Sequence, residues 1–163
     1  MANILVTGFT PFDGRQCNGS WVAARWLADH HGTGHELKAA LIPVIRGAPG
    51  EILTSWIRDW EPDVVISLGE GHAGRFAIET HARNQRRLSA DNTGSLPAQE
   101  LIDASGPATR MASIDYQRLQ EILANLGYPI QLSDDAGAFL CEEALYCLES
   151  ARETVAPVQP MVL

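Results

Sequence analysis

Three stretches of the chain carry side chains able to do chemistry. The first is Ser-Asp-Asp-Ala-Gly-Ala-Phe-Leu-Cys, residues 133–141, which ends on Cys141 at the head of a segment with helical apolar spacing. A cysteine in the first turn of a helix feels the positive end of the helix dipole, which favours the thiolate. The thiolate is the nucleophilic form. A strand, a tight glycine turn and then a nucleophile at a helix start would expose such an atom, with backbone N–H groups at hand for an oxyanion. Packing is the opposing reading, because free cysteine is among the most buried residue types. Asp134 and Asp135 also oppose a low thiol pKa through their charge. Cys147 lies on a different helical face and reads as core, and Cys17 lies in a polar loop.

The second stretch is Ala-Ile-Glu-Thr-His-Ala-Arg-Asn, residues 77–84. Glu79 could orient a histidine as the third member of a triad, or be a solvated acid at a strand edge. His81, two residues on, should share its face if both lie in one strand. Glu70, His72, Glu79 and His81 are of metal-ligand type, but their spacing matches no zinc pattern, so no metal is expected. The glycines of Gly-Glu-Gly-His-Ala-Gly-Arg, residues 69–75, lack Gly-Lys-Ser/Thr and Gly-x-Gly-x-x-Gly, which argues against a nucleotide cofactor. The third stretch is the turn-rich loop Thr-Pro-Phe-Asp-Gly-Arg-Gln-Cys-Asn-Gly, residues 10–19, which follows an apolar run.

The elements that must position these residues alternate. Apolar runs at 2–9, 37–45 and 63–71 read as strands, two of them ending in glycine. Helical spacing marks 21–31, with Ser20 as its cap, 48–62, closed by Pro62, and 113–127, with Ser113 as cap and Gly127 as stop. Residues 75–84 read as one strand, 85–109 as a long loop, 128–133 as a short strand, 137–151 as a helix and 157–163 as the start of a last strand. Strands alternating with helices imply an α/β fold, a three-layer α/β/α sandwich with a mostly parallel central sheet. In such folds the chemistry gathers beyond the carboxyl ends of the strands.

Bulk composition narrows the function. With 163 residues, 45% of them hydrophobic and 20% charged, the chain suits one domain around one core. A net charge of −8 with no basic run argues against nucleic acid or an anionic membrane as partner. No apolar stretch is long enough to span a bilayer, and the first nine residues lack the basic region of a signal peptide. Three cysteines at irregular spacing make no disulfide framework, so the expected location is cytoplasmic.

Taken together, the three stretches resemble the pyroglutamyl peptidase I (pyrrolidone-carboxylate peptidase) family, over nearly the whole chain. The residues 4–21 are similar to its opening strand and Gly-Phe-x-Pro-Phe-x-Gly loop. Ile78, Glu79, Ala82 and Asn84 match its Ile-Glu-x-x-Ala-x-Asn core. Ser133, Ala136, Gly137, Leu140 and Cys141 match its Ser-x-x-Ala-Gly-x-x-Leu-Cys nucleophile segment. The resemblance implies a cysteine peptidase that removes an N-terminal pyroglutamyl residue, or a similar small amide, through a Cys-His-Glu triad. It implies Cys141 as nucleophile and Glu79 as orienting acid. Phe9 and Phe12 match aromatics that hold the pyrrolidone ring. Arg87, before Leu-Ser-Ala-Asp-Asn, is the nearest match to an arginine that helps the oxyanion, one residue out of register. A homo-oligomer of two or four chains also accords with the family.

The chain departs from that pattern in four places. The family histidine follows the cysteine by a helix, a loop and part of a strand, a position just past Leu163, and none of His30, His31, His35, His72 and His81 matches it. The expectation is a chain truncated before its base, with His81 as the substitute within it. Glu70 stands where the family usually has a neutral residue, often Gln, facing the pyrrolidone. The segment between Arg75 and Glu79 is short, and the second acid of Ser-Asp-Asp is atypical. The competing expectation is a non-catalytic relative that binds a small ligand or a protein partner; a metal-dependent hydrolase is the third.

Overall fold

The computed structural model describes residues 1–32, 34–71, 74–128 and 130–155, and the backbone of Met161 and Val162. β1 (Asn3–Phe9) runs through the middle of a parallel sheet, with β2 (Glu36–Ile42) on one side and β3 (Val64–Ser67) on the other. β8 (Met161–Val162) continues the sheet beyond β3, so the order is β2-β1-β3-β8. β1 is continuously apolar because both of its faces are covered. Leu5 and Phe9 face the core shared with α2 (Ala48–Trp60) and α4 (Leu140–Thr154), against Leu53, Ile57, Leu140, Ala144 and Leu148. On the opposite face α1 (Gly19–His30) lies so close that a Cβ on Gly8 would stand 2.6 Å from the backbone of Ser20 and Trp21. The result is the expected three-layer α/β/α arrangement with a mostly parallel sheet.

Several local expectations change. α1 is capped by Asn18, whose side chain accepts the Ser20 N–H, and Ser20 is already helical. α3 (Tyr116–Asn125) starts later than expected, with Asp115 as its cap; the Ser113 N–H is instead held by Glu149 at 2.8 Å. Residues 75–84 are not one strand. β4 (Phe76–Glu79) pairs in parallel with β7 (Ile130–Ser133), while β5 (His81–Arg83) pairs antiparallel with β6 (Thr109–Met111), the carboxyl edge of the expected loop. The break falls at Thr80, whose N–H and hydroxyl both donate to the Ser133 carbonyl. A ladder bond spent on β7 at that residue frees the next three to pair elsewhere.

Candidate active site

The sheet places the loops after β1 and β3 side by side. α1 leaves one face of the sheet and α2 the other, so the crevice between these two strand ends is the switch point where open α/β sheets bind ligands.

The loop after β1 is held by a small polar cluster. The Ser20 hydroxyl accepts the Phe9 N–H at 3.0 Å and donates to Asn18 Oδ1 at 2.7 Å, and Asn18 Nδ2 donates to the Thr10 carbonyl at 3.1 Å. These bonds occupy groups that would otherwise be buried without partners. Phe9 is thereby fixed in the core at 3% exposure, while Phe12 is half-buried and packs against the same core. Arg15, further along the loop, stacks its guanidinium 5.0 Å from the Phe12 ring centroid and pairs with Glu70 at 2.9 Å.

A tight turn sets the head of α4. The Ser133 hydroxyl accepts the Asp135 N–H, and Asp135 Oδ1 accepts the Gly137 N–H at 3.0 Å. Gly137 and Ala138 both take positive φ, 89° and 52°, which swings the chain into the helix. Leu140 is the first helical residue, so Cys141 is the second. Glu142 is fully buried, and its carboxylate accepts the N–H groups of Ala138 at 3.0 Å and Arg83 at 2.6 Å. Glu143, equally buried, accepts the Gly47 N–H at 2.6 Å and pairs with Arg86 at 3.0 Å. Two acids in the first turn suit the helix dipole, and each also ties a distant segment to it. Neither was singled out from the sequence, though an acid pair opening an otherwise apolar helix was a signal.

Cys141 lies against the turn after β3: a Cβ on Gly69 would stand 2.6 Å from its sulfur. Burial pushes the thiol up to about 11, and the charges of Glu79 and Glu142 add to the rise, while the N–H groups of Glu70 and Cys141 itself act in the opposite sense. The balance is therefore upward, against the expectation from the helix dipole alone. The acids acting on the sulfur are Glu79 and Glu142 rather than Asp134 and Asp135.

Glu79 ends β4, in register with Ser133. The nearby Ser133 side chain favours the charged carboxylate, and Oε2 is buried with no hydrogen-bond partner among the described residues. Burial raises its pKa, helped by Glu142, Asp135 and Asp134. His81 lies past the break at Thr80, in a different sheet from Glu79. Its Nδ1 is 3.2 Å from Thr80 Oγ1, and among the described residues no hydrogen bond joins it to Glu79 or Cys141. Arg87 donates its N–H to the Ala138 carbonyl at 2.6 Å. Its guanidinium and that of Arg46 both lie over the Phe139 ring, at 5.3 and 5.1 Å. Arg46 and Phe139 were not singled out from the sequence: Phe139 caps α4 two residues before Cys141, and only the folded chain brings Arg46 to it. Among the described residues no three His, Cys, Asp or Glu side chains gather as a metal site. Glu70 is instead paired with Arg15, and His72 lies outside the described residues.

The model of the family described as pyroglutamyl peptidase matches residues 2–159. The chain belongs to the pyroglutamyl peptidase family. Pyrrolidone-carboxylate peptidase 1 of Ralstonia nicotianae is 34% identical over 154 residues, which cover 93% of this chain and 71% of that protein. The pyrrolidone-carboxylate peptidase of Chromobacterium violaceum is 35% identical over 150 residues, covering 91% and 71%. The crystal structure of pyroglutamyl peptidase I from Bacillus amyloliquefaciens superposes with a TM-score of 0.90 at 25% identity, over 99% of this chain and 80% of that one. Membership of the pyroglutamyl peptidase family makes this a cysteine-peptidase fold. No helix among the described residues is long and apolar enough to cross a membrane.

Proposed function

We propose that this chain carries the substrate slot, nucleophile and orienting acid of a peptidase that removes N-terminal pyroglutamate. Cys141 Sγ attacks the pyroglutamyl carbonyl, and the oxyanion forms beside the N–H groups of Glu70 and Cys141, the two donors that act on the sulfur. Collapse to a thioester expels the peptide amine, which takes the proton that the thiol gave up. Water then hydrolyses the thioester, releasing pyroglutamate and the thiol. Phe12 and Phe9 supply the apolar wall for a flat lactam, and Arg87 approaches from the head of α4.

The observation that carries this reading is Glu79 Oε2, a buried acceptor with no partner among the described residues, whose charge reaches Cys141. A buried carboxylate oxygen left this way is costly, and it suits the N–H of an imidazole standing between the two residues. The register of the sheet supports one place for such a base. Val65 pairs with Val162. Were that register continued, the fourth position after Val162 would come level with Gly69, against which the sulfur lies. A histidine on a continuation of β8 would reach the site at that level, whereas His81 lies beyond the strand break.

The test is hydrolysis of a fluorogenic pyroglutamyl amide by this chain and by Cys141→Ala, with and without added imidazole as a free base. Hydrolysis that requires Cys141 and rises with imidazole supports the reading. Hydrolysis that survives in Cys141→Ala removes it. The second reading, a relative that binds a small ligand without catalysis, draws on one observation: burial and two acids hold Cys141 as the thiol, at about 11. It predicts a ligand that binds Cys141→Ala as tightly as the parent chain, and no hydrolysis under any condition.

A further inference from the structure

Arg15 belongs to none of the site residues read from the sequence, yet it sits at the mouth of the crevice. Its Nη1 lies 2.9 Å from Glu70 Oε2, and its guanidinium stands over Phe12. Glu70 directly follows Gly69, the glycine that lies against the Cys141 sulfur. The other carboxylate oxygen of Glu70 faces Gly19, 3.8 Å from where a Cβ would stand. One guanidinium thus joins the loop after β1 to the turn after β3, and the Glu70 carboxylate it holds borders the start of α1.

We propose that Arg15 is a positioning residue for the proposed hydrolysis, a latch that holds Phe12 and Glu70 in place around Cys141. The proposal rests on the reading of Cys141 as nucleophile. An arginine suits the task because its planar fork pairs with a carboxylate while its face stacks on a ring. It also compensates Glu70, which would otherwise add a third negative charge to Glu79 and Glu142 around the sulfur. The side chains of Arg15 and Glu70 are 49% and 30% exposed, so salt screens the latch. The site's geometry is therefore sensitive to ionic strength, through a pair remote from the reacting bond.

The experiment compares the parent chain with Arg15→Gln, Glu70→Gln, their double variant and Arg15→Lys, all checked for unchanged thermal unfolding. The first readout is kcat and KM for the pyroglutamyl amide with imidazole, at low and high salt. Arg15→Gln is expected to lower kcat/KM about 3- to 5-fold at low salt, the range of an exposed ion pair. The deficit should shrink at high salt, and the double variant should be no worse than the poorer single one. The second readout needs no hydrolysis: the pH midpoint of Cys141 alkylation by iodoacetamide, followed on the Cys141 peptide by mass. It should rise in Arg15→Gln, which leaves Glu70 uncompensated, and fall in Glu70→Gln, with Arg15→Lys closer to the parent. Additive losses in the double variant, or a midpoint that ignores Arg15→Gln, would overturn the latch. Opposite midpoint shifts with no hydrolysis by any chain would uphold the latch and sink the peptidase reading instead.

Discussion

α4 and α3 both show apolar residues at helical spacing, but they meet different surroundings. α4 buries nine of its residues, from Leu140 to Ala151, against α2 and the sheet elements beside it. α3 buries none; Ile122 is 46% exposed, and Leu126, just past its end, 67%. The strand that α3 covers, β7, pairs only with β4 among the described residues, and Phe76 at the start of β4 is 69% exposed. The proposed nucleophile therefore stands on the most deeply packed helix of the chain, while Glu79 ends a strand of the thinner β4–β7 wing. A triad needs its members held to a fraction of an ångström. Under the proposed role of Glu79, the wing would have to meet that need locally, through the register of two short strands.

The largest contrast should appear in stability. Leu53→Ala or Leu148→Ala, each removing a fully buried side chain, should lower the unfolding free energy by about 2–5 kcal/mol. Ile122→Ala or Leu126→Ala in the wing should cost well under about 1 kcal/mol in the same urea titration. Equal losses on the two sides would break the comparison. Gly69→Ala probes the packed side of the site. The new Cβ would meet the sulfur at 2.6 Å, so the sulfur must shift by roughly 1 Å, with an expected loss of about 10²-fold in the proposed Cys141-dependent hydrolysis. A variant with parental kinetics would show that the sulfur's position is not set by that turn.

Glu79→Gln probes the wing. Burial raises the Glu79 pKa above its unfolded value, so its contribution to stability is full below the ordinary carboxylate range and is lost as pH rises through the folded value. The amide should abolish hydrolysis yet make the protein slightly more stable at neutral pH, with the gain disappearing near pH ~3. Melting temperatures of the two chains across that range check the sign. The smallest effect separates the two thiols of α4. Cys147 is pushed up to about 12 and Cys141 to about 11, both chiefly by burial, so iodoacetamide should label Cys141 first, and faster as pH rises. Labelling in the reverse order would mean that access outweighs ionisation.

Much of the candidate site rests on short motifs. Cys141 after a Gly-containing turn and Glu79 in its strand are local patterns, and the structure brings both to one crevice. The strand running from Arg75 to Asn84 was misread because its alternation is unbroken. Only the Ser133 carbonyl, more than fifty residues away in sequence, takes Thr80 out of that pattern. The helix caps Asn18 and Asp115 were missed for a nearer reason, since Ser20 and Ser113 are equally good cap types within a few residues. The burial of Glu142, Glu143 and Glu149 was invisible, because an acid on a helix reads as solvated unless its donors are known.

The sequence by itself determined the alternation of strands and helices, the covered first strand and the chemistry-bearing residues of three motifs. These follow from hydrophobic period, turn residues and helix-start chemistry, all of which act over a few neighbours. The tertiary structure alone decided the rest: that Gly69 touches the sulfur, that Glu79 keeps an oxygen unpartnered among the described residues, and that Arg15 answers Glu70. Charge, burial and hydrogen bonding act through space, so a thiol at the positive end of a helix still rises to about 11 when the fold surrounds it with apolar walls and two carboxylates.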